Sequence, residues 1–493
     1  MAMRVYRLSP GHKGLVQGAR PSRRDRGAGV PRRVQALLDL PKAESYNHAM
    51  RRILIANRGE VVLRILRTAR ELGLETIVVY SEADRDMEYL GLADEAVKIG
   101  PEQASKSYLN MDAIISAALT WKAHAVHPGY GFLSENSQFA SLCEEQGIQF
   151  IGPSSATLRT IGNKSRTKEV ARSLGIPTIP GSQGMVGDIG HGLALARELG
   201  YPVILKSLYG GGGRGMKVAS NEEQLKSQFA GVSSEASAAF GRSEIYIEHY
   251  ISSPRHLEVQ VLADNHGNIR VYGDRECSIQ RRHQKIIEEA PIHNIDEGLR
   301  KNLWEWSVQI VRAIGFTGIG TVEFLMDKQE RVYFLEINGR LQVEHPVTEV
   351  VTGKDLVRDQ IMVAAGAVLD WEHVKQEGHA VECRVNAENP SKNFMPTTGT
   401  VTRLRLPGGP GTRIDTHLFQ GCVVTPFYDP LLVKLVAHDT DRKGALKRMT
   451  RMIDETVIEG ITTNLPLLRK LITHEQFQEG NGDTSLVHRV VGR

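Results

Sequence analysis

The chain has 493 residues, of which 41% are hydrophobic and 24% are charged, and its formal net charge is +4. This composition is typical of a globular protein of about three domains, and it excludes a low-complexity chain. No apolar run approaches the ~18 residues of a membrane span, and the four widely spaced cysteines exclude a disulfide framework and fit a reducing cytosol.

The first 49 residues differ in composition from the rest. They contain ten basic and three acidic residues, a net charge of +7, so the remainder carries −3 and gives no reason to propose nucleic-acid binding. We expect disorder in residues 1–49, apart from a short helical turn near residues 34–40. The segment resembles an organelle transit peptide, but its acidic residues and scarce serine favour Met50 as the true start.

Strands and helices alternate from Arg52 onward. The apolar pattern predicts these elements at residues 53–56, 61–72, 76–80, 125–128 and 150–152. A strand, a helix and a strand in this order imply a right-handed parallel unit, so we expect a Rossmann-like domain. The first turn, at residues 57–60, lacks the Gly-x-Gly-x-x-Gly fingerprint, which disfavours a dinucleotide oxidoreductase.

A glycine-rich loop follows in a smaller α+β region at about 179–250. The strand at 202–206 ends in Lys206, and four glycines follow at 210–213. Unhindered backbone N–H groups can surround phosphate oxygens while the lysine supplies charge. No Gly-Lys-Ser/Thr follows, so this is not a Walker loop, and a flexible hairpin tip is the alternative. A loop of this kind often closes over substrate, which predicts a mobile lid.

Two later stretches carry less information. Residues 277–285 are densely polar and basic; they would be unremarkable as a surface loop, but beside a phosphate site they could hold anions. The region of about 380–488 is strand-rich and then helical, and we expect it to form a cap domain.

A row of alternating polar residues is the strongest functional signal. It follows a stretch at 332–335 that is apolar on both faces and predicts a buried strand. The polar residues at every second position are Glu336, Asn338, Arg340, Gln342 and Glu344. In an extended chain these five side chains point the same way. A solvated strand face is the alternative, but charges that continue a buried strand need partners or a metal.

The stretch at 319–326 is predicted to pair with this strand as a hairpin. A four-residue turn at 327–330 would place Glu323 opposite Phe334 and diagonal to Glu336. Diagonal neighbours lie about 7–8 Å apart, within reach of two glutamate side chains. Two carboxylates and the Asn338 carbonyl are hard oxygen ligands, suited to magnesium that is bridged to phosphates.

From about Arg52 to the C-terminus, the chain resembles biotin carboxylase, an ATP-grasp enzyme of the biotin-dependent carboxylases. The matching stretches are 55–60, 127–131, 210–216, 280–285, 336–348 and 379–386. Residues 280–285 and the polar row are specific to this family, whereas the glycine-rich loop is shared more widely. The resemblance implies an α/β and α+β multidomain fold.

The implied division of the chain has four parts. They are a disordered leader or mis-annotated start at 1–49, a Rossmann-like pre-ATP-grasp domain at 50–163, an ATP-grasp domain at 164–379 with its lid at about 179–250, and a C-terminal biotin carboxylase domain at 380–493.

The resemblance also implies a reaction and its participants. The reaction is ATP-dependent carboxylation of biotin by bicarbonate, through carboxyphosphate, with Mg²⁺ or Mn²⁺ as the metal. No biotinyl Ala-Met-Lys-Met occurs and no carboxyltransferase follows Arg493, so the biotin carrier and the transferase are expected on separate chains. A cytoplasmic homodimer is implied, with Arg64 and Arg67 near its interface; spacing alone would place both on a solvated helix face. No nucleic acid or membrane partner is expected.

The resemblance assigns roles to individual residues. The residues implied to bind ATP are Lys164, Lys206, Gly212, Gly213, Glu248, His249, Tyr250, Ile251, His256, His283, Glu323 and Glu336. The implied metal ligands are Glu323, Glu336 and Asn338, and the implied bicarbonate site is Lys285, Arg340, Gln342 and Val343. The implied catalytic residues are Arg340, Glu344, Lys285 and Arg384, with Glu344 as general base and Arg384 facing carboxyphosphate and biotin.

Tyr209 and Gly339 depart from the family pattern. Tyr209 precedes the glycines and is expected to affect lid closure. Gly339 replaces the usual threonine and is expected to loosen the strand. The alternative functions are another ATP-grasp ligase, such as a carbamoyl-phosphate or peptide ligase, and a catalytically silent scaffold. The final carboxyl acceptor stays open among acetyl-CoA (and so fatty acid biosynthesis), propionyl-CoA, pyruvate and others.

Overall fold

The computed structural model describes residues 50–182, 184–207, 216–240, 245–369 and 374–492. The predicted disorder and helical turn of the leader therefore lie outside the described residues, as do Tyr209, Gly212 and Gly213. None of the described helices has the length and apolar character needed to cross a membrane.

The N-terminal region is a parallel five-stranded sheet in the order β3-β2-β1-β4-β5. Its elements are β1 (Arg52–Ile55), α1 (Glu60–Glu71), β2 (Glu75–Ser81), β3 (Glu95–Gly100), α2 (Met111–Thr120), β4 (Ala125–His127), α3 (Ser137–Glu145), β5 (Gln149–Phe150) and α4 (Ser155–Ile161). β1 lies at the centre of the sheet, and Ile53, Leu54 and Ile55 are fully buried, which explains why this strand is apolar on both faces. The predicted Rossmann-like fold is confirmed.

The predicted lid is a small α+β unit beside α5 (Lys164–Ser173). Its elements are α6 (Ile189–Leu199), β6 (Val203–Ser207), β7 (Met216–Ala219), α7 (Glu222–Phe240) and β8 (Ile245–His249). The strands form an antiparallel sheet in the order β7-β6-β8, with a hydrophobic cluster of their own around Leu205 and Ile247. A separate core is what a unit that moves as a body requires, and the motion itself stays a prediction.

One antiparallel sheet of eight strands carries the rest of the chain, in the order β13-β12-β9-β10-β11-β14-β21-β19. Its first part contains β9 (Arg255–Ala263), β10 (Ile269–Arg281), β11 (Gln284–Ala290), α8 (Glu297–Ala313), β12 (Gly318–Met326), β13 (Val332–Asn338), α9 (His345–Thr352) and α10 (Leu356–Ala364). The C-terminal region continues the sheet through β14, which pairs with β11, so strand hydrogen bonds join this region to the part of the sheet that contains β9–β13.

The C-terminal region combines long and very short strands with helices. Its elements are β14 (His379–Asn386), β15 (Glu388–Asn389), β16 (Met395–Pro396), β17 (Gly399–Thr400), β18 (Arg403–Arg405), β19 (Thr412–Thr416), β20 (Val423–Val424), β21 (Leu431–Asp439), α11 (Arg442–Glu455), β22 (Val457–Glu459), α12 (Leu465–Ile472), α13 (Glu475–Gln478) and α14 (Leu486–Val491).

The β12–β13 hairpin differs from the prediction. Its loop has five residues, 327–331, because Met326 pairs with Val332. A bulge then skips Leu335, so Glu323 lies directly opposite Glu336. The predicted pairing of Glu323 with Phe334 is therefore wrong, and the two carboxylates are closer neighbours than the predicted diagonal pair.

Glu289 provides a test of how buried ion pairs support this sheet. It lies on β11, where His379 Nε2 is 2.9 Å and Arg442 Nε 2.7 Å from its Oε2. Burial alone would raise the pKa of Glu289, but these partners lower it to about 2. A depressed pKa gives stability that is complete above the pKa of the unfolded chain and is lost as the pH falls toward about 2.

We therefore expect Glu289→Gln to lower the free energy of unfolding by about 3 kcal/mol at pH 7. The difference from the parent chain should shrink by roughly 1 kcal/mol between pH 7 and about pH 3.5, because the parent loses its ion-pair contribution in that range. Urea unfolding followed by circular dichroism at several pH values measures this difference. An equal difference in the free energy of unfolding at pH 7 and at about pH 3.5 would show that the ion pairs of Glu289 do not contribute as assigned.

Candidate active site

A cleft of about 1000 Å³ lies where the N-terminal sheet, the lid and the eight-stranded sheet meet. Residues 57–60 and 130–132 enter it just beyond the carboxyl ends of β1 and β4, the edge where open α/β sheets bind ligands. The predicted site residues that line the cleft are Lys164, Lys206, His249, Tyr250, Ile251, His256, His283, Lys285, Glu323, Glu336, Asn338, Arg340, Gln342, Val343, Glu344 and Arg384. Of the described site residues, only Glu248 does not line it.

Two lysines mark one end of the cleft. Lys164 begins helix α5 and places its Nζ 2.6 Å from Glu336 Oε2. Although burial lowers the pKa of Lys164, the Glu336 carboxylate outweighs this effect and raises it. Lys206, at the end of the lid strand β6, points into the same end. Two ammonium groups on separate elements can hold a polyphosphate between them.

The Glu248 side chain cannot contact a nucleotide. It is fully buried and binds Lys206 Nζ at 2.6 Å, and its other oxygen pairs with Lys168. Lys168 is buried on α5, four residues after Lys164, and the sequence analysis missed it. The predicted contribution of Glu248 is thus restricted to its backbone, whereas His249, Tyr250 and Ile251 line the cleft. Even there, the amide groups of His249 and Tyr250 already donate to carbonyls of the lid.

The basic stretch at 277–285 is a hairpin tip in the cleft. Arg282 and His283 have positive φ values of 48° and 67°, and this strained turn directs His283 toward the end of the cleft that contains Lys164 and Lys206. A turn of the C-terminal region holds the tip in place. Arg281 Nη2 donates to the Asn393 carbonyl at 2.9 Å, and the guanidinium lies 3.9 Å from the centre of the Phe394 ring.

His256 contacts both the basic hairpin and a carboxylate of the β12–β13 hairpin. Gln280 Nε2 lies 2.7 Å from His256 Nδ1, which leaves the His256 Nε2–H to face Glu323 Oε2 at 3.1 Å. Although burial raises the pKa of Glu323, the charge of Lys285 and the hydrogen bond from His256 hold it below its usual range. Glu323 is therefore ionised at neutral pH.

The predicted metal ligands fit Mg²⁺ by donor chemistry. Glu323 and Glu336 are direct cross-strand partners with side chains on the same face, and Asn338 is two residues further along β13. A second group of possible ligands, His256, Glu258 and Glu323, has its donor atoms within 4.8 Å of one another. Carboxylate and amide oxygens are the ligands that Mg²⁺ prefers, which favours the first set.

Lys285 lies among three carboxylates. Its Nζ is 2.6 Å from Glu258 Oε2, 3.0 Å from Glu323 Oε1 and 2.5 Å from Glu344 Oε1. Burial lowers the pKa of Lys285, but these anions outweigh burial and raise the pKa well above its usual value. Lys285 is therefore a fixed positive charge, and Glu258 is a partner that the sequence did not reveal.

The polar row is not a single extended strand. β13 ends at Asn338, Arg340 lies in a bend, and Glu344 is the residue before helix α9. The prediction of one alternating strand is therefore wrong beyond Asn338. All five side chains of the row nevertheless face the cleft, because the bend returns Gln342 and Glu344 to it.

Arg340 is held by an N-terminal residue that the sequence analysis missed. Arg340 Nε is 2.9 Å from Glu135 Oε2, and its Nη1 is 2.9 Å from Gln342 Oε1. Glu135 also accepts the Gly339 amide at 3.3 Å. Glu135 lies between β4 and α3 with no pattern around it, so only the fold reveals that it faces the row.

Glu344 sits between two cations. Its Oε1 binds Lys285, and its Oε2 lies 2.8 Å from Arg384 Nη2. Burial alone would raise the pKa of Glu344, but the charges of Lys285 and Arg384 hold it well below its usual range. A buried carboxylate that is ionised and faces a cleft can accept a proton from a substrate.

Gly339 is tightly packed, which contradicts the expected loosening. A Cβ there would lie 2.4 Å from Ile161 Cδ1, 3.1 Å from Pro153 Cγ and 3.3 Å from Leu158 Cδ2. Helix α4 therefore fills the space that a side chain at this position would occupy. The glycine allows close approach of the two elements at the start of the bend.

We expect Gly339→Thr to lower the free energy of unfolding by about 1–3 kcal/mol through this clash. Ile161→Val removes Cδ1, so adding it to Gly339→Thr should recover much of the loss. Urea unfolding of the two single variants and the double variant gives the coupling free energy. Purely additive effects would show that Ile161 is not the obstacle.

The fold and the cleft together define the class of protein. A Rossmann-like sheet, a small α+β lid and an antiparallel sheet surround lysines that face paired carboxylates, which is the arrangement of an ATP-dependent ligase of the ATP-grasp type. Three family models match the chain in succession. They are the biotin carboxylase N-terminal domain at residues 49–158, the ATP-binding domain of the carbamoyl-phosphate synthase L chain at 163–372, and the biotin carboxylase C-terminal domain at 382–489.

Individual relatives agree along nearly their whole length. The chain is 47% identical to biotin carboxylase 1 of Bacillus subtilis (strain 168) over 441 residues, 89% of this chain and 98% of the relative. The chain belongs to the biotin carboxylase family, as predicted.

Solved structures give the same result. The biotin carboxylase domain dimer of Hydrogenobacter thermophilus 2-oxoglutarate carboxylase, in complex with MgADP, ADP and bicarbonate, has a TM-score of 0.87 and 41% identity, covering 90% of this chain and 99% of that one. A Campylobacter jejuni biotin carboxylase complexed with β,γ-ATP has a TM-score of 0.87 and 46% identity, covering 89% and 99%. The predicted multidomain fold is confirmed.

Proposed function

We propose that the chain catalyses the ATP-dependent carboxylation of biotin by bicarbonate, the first half-reaction of a biotin-dependent carboxylase. The observation that carries this proposal is the arrangement of Glu344 between Lys285 and Arg384, in the same cleft as Lys164 and Lys206. An ionised base and two cations beside a phosphate-binding end suit the activation of bicarbonate against ATP.

The nucleotide occupies the end of the cleft with Lys164, Lys206, His256 and His283. The two lysines bind phosphate oxygens and neutralise the charge that develops during phosphoryl transfer. Glu323, Glu336 and Asn338 would hold Mg²⁺, with Mn²⁺ as an alternative, and the metal would supply charge neutralisation at the phosphates. Lys164, the present partner of Glu336, is then free to turn toward the nucleotide.

Bicarbonate binds along the bent part of the row. Arg340, Lys285, Gln342 and the Val343 backbone hold it, and Glu344 accepts its proton. A bicarbonate oxygen attacks the γ-phosphorus, the bond to the ADP oxygen breaks, and carboxyphosphate forms. Positioning supplies most of the gain in rate, because bicarbonate is a poor nucleophile until it is held in line.

Biotin reacts at the same end. Carboxyphosphate breaks into carbon dioxide and phosphate, and biotin N1 then attacks the carbon dioxide. Glu344 already holds the bicarbonate proton, so the released phosphate, which is strongly basic as a trianion, accepts the N1 proton. Arg384 stabilises the negative charge that develops on the ureido oxygen of biotin. A closed lid would limit hydrolysis of carboxyphosphate.

The partners follow from this chemistry. Biotin arrives on a carrier protein and leaves for a carboxyltransferase, both proposed as separate chains. The chain is proposed to form a homodimer, as the similar Hydrogenobacter thermophilus domain does. Its four buried free cysteines fit the proposed cytoplasmic location, because the cytosol is reducing. Arg64 is buried against Glu349 and Asp355, so it does not belong to a solvated helix face, whereas Arg67 is exposed and stays available to an interface.

The final acceptor is determined by the transferase rather than by this cleft. One structural relative, at 41% identity, belongs to a 2-oxoglutarate carboxylase, so a similar carboxylase component serves an acceptor other than the three named in the sequence analysis. Identifying the transferase that co-purifies with the chain names the acceptor.

The proposed function is tested by ATP cleavage. We expect ADP release to be stimulated by biotin in the presence of bicarbonate and Mg²⁺, with carboxybiotin as the product. No stimulation by biotin would overturn the proposal. Turnover without biotin but with a different acid as acceptor would favour another ATP-grasp ligase, and no turnover with any acceptor would favour the silent scaffold.

A further inference from the structure

The Arg384 guanidinium is bound on two sides by carboxylates. Its Nε donates to Glu288 Oε1 at 2.6 Å, and its Nη2 donates to Glu344 Oε2 at 2.8 Å. Its Nη1 makes no hydrogen bond to any residue that the structure describes, and the side chain is 15% exposed at the cleft. Since the guanidinium is planar, the two bonded nitrogens fix the direction in which Nη1 points.

Glu288 is distinct from the residues that line the cleft. It lies on β11, next to the strand β14 that carries Arg384, and it is fully buried. It therefore cannot touch ATP, bicarbonate or biotin, and it acts only through Arg384. Without Glu288, the positive charge of Arg384 would be matched by Glu344 alone, which is the proposed base.

A second buried carboxyl group stands beside Glu288. Glu382 on β14 is its direct cross-strand partner, so the two side chains share a face. Neither oxygen of Glu382 has a hydrogen-bond partner among the described residues, and neither does Glu288 Oε2. Two adjacent buried carboxyl groups avoid an uncompensated second charge by holding one proton between them.

The surrounding charges indicate which group holds the proton. Burial raises the pKa of both carboxyls, but the Arg384 charge opposes this rise at Glu288, whose pKa is about 7. The pKa of Glu382 is raised well above its usual range, although Lys434 and Arg384 partly oppose the effect of burial. The hydrogen bonds place the proton on Glu382, because Glu288 already accepts a charge-assisted bond from Arg384, whereas neither oxygen of Glu382 has a partner among the described residues.

We propose that Glu288 is a positioning residue that aims Arg384 Nη1 at the ureido oxygen of biotin, and that a protonated Glu382 supports it. The proposal rests on the proposed function, because it assigns Arg384 to the biotin end of the reaction. Protonated Glu382 donates its hydrogen to the free Oε2 of Glu288, which holds the Glu288 carboxylate in the plane of the guanidinium. The pair then carries one negative charge, which balances the one positive charge of Arg384.

The test is steady-state kinetics of ATP cleavage by the full chain with free biotin as the probe. We expect Glu288→Gln to raise the KM for biotin roughly tenfold while the KM for ATP stays within about twofold, because a charge-assisted bond that orients Arg384 is lost. A residue with only a structural role would not separate the two constants. An unchanged KM for biotin would overturn the proposal.

Two further variants sharpen the result. Glu382→Gln should keep the KM for biotin within about twofold, because its amide N–H donates a hydrogen bond as the carboxyl proton does. A rise in this KM as large as that of Glu288→Gln would show that Glu382 is not protonated. Glu289→Gln is the matched control, because Glu289 is the next residue on β11 but pairs with Arg442 and His379 on the opposite face. It is expected to lose stability and keep its KM for biotin.

The outcomes separate this proposal from the proposed function. An unmodified chain that biotin fails to stimulate overturns the proposed function. A stimulated chain whose Glu288→Gln variant keeps its KM for biotin overturns only the positioning role. Glu288→Asp replaces Glu288→Gln if the latter is insoluble. The shorter aspartate side chain cannot reach Arg384 Nε, so we expect the same rise in the KM for biotin. An unchanged KM for biotin again overturns the proposal.

Discussion

Replacing Glu344 by glutamine is expected to lower the kcat of biotin-dependent ATP cleavage by about 10²–10⁴-fold, the usual effect of removing a general base. Glutamine has nearly the same shape and can still accept one hydrogen bond from Lys285 or Arg384. What it loses is the ability to accept a proton. The Kd for ATP should stay within about threefold, because Glu344 contacts Lys285 and Arg384 and neither of the two lysines proposed to bind phosphate. Rapid-quench measurement of ADP and equilibrium titration with ATP separate the two effects.

The control for Glu344→Gln is the same substitution at Glu297, whose side chain is 75% exposed on α8. This variant should keep full turnover and full stability. If Glu344→Gln also kept near-normal turnover, the assignment of the base would be wrong. A Glu344→Gln chain that binds ATP with parental affinity but cleaves it slowly would support the assignment.

Arg340→Ala is expected to reduce kcat/KM for bicarbonate by about 10²–10³-fold, as is usual when a charged group that orients a reacting anion is removed. The reason is geometric as well as electrostatic. Arg340 is bonded to Glu135 from the N-terminal region and to Gln342 in the row, so its guanidinium is already oriented before bicarbonate arrives. ATP binding should be largely unaffected, because Lys164 and Lys206 are untouched.

Arg331→Ala is the matched control for Arg340→Ala. Arg331 lies in the loop of the same hairpin and is 65% exposed, and its guanidinium contacts two residues of that loop, Asp327 and Gln329. Bicarbonate should bind to this variant as it does to the parent chain. Saturation curves for bicarbonate at fixed ATP distinguish the two arginines, and equal losses in both variants would indicate a general effect on the hairpin.

The site residues that the sequence predicted correctly are those that belong to a local pattern along the chain. The polar row, Lys206 and the basic hairpin stand out along the chain, and all of them line the cleft. Other elements of the fold bring in the residues that were missed, which are Glu258 and Glu288 on strands, Lys168 on helix α5 and Glu135 between β4 and α3. Only the tertiary fold brings them there, so no local pattern marks them.

The register of the β12–β13 hairpin and the bend after Asn338 were also predicted incorrectly. The hairpin prediction assumed a regular turn, whereas a five-residue loop and a bulge at Leu335 place Glu323 opposite Glu336. Alternation likewise predicted one strand up to Glu344, although the chain bends after Asn338. The packing of helix α4 against Gly339 accompanies this bend, and a contact between residues so far apart in sequence leaves no signal in either segment.

The continuous eight-stranded sheet has a consequence for the fate of carboxyphosphate. Lys285 on β11 and Arg384 on β14 belong to neighbouring strands joined by backbone hydrogen bonds, although they come from regions matched by different family models. The compound is short-lived in water, yet it never has to be transferred between domains that move independently. The place where it forms and the place where it is consumed are built on one rigid surface, so its survival depends on how well the lid excludes solvent and not on the timing of a domain rearrangement.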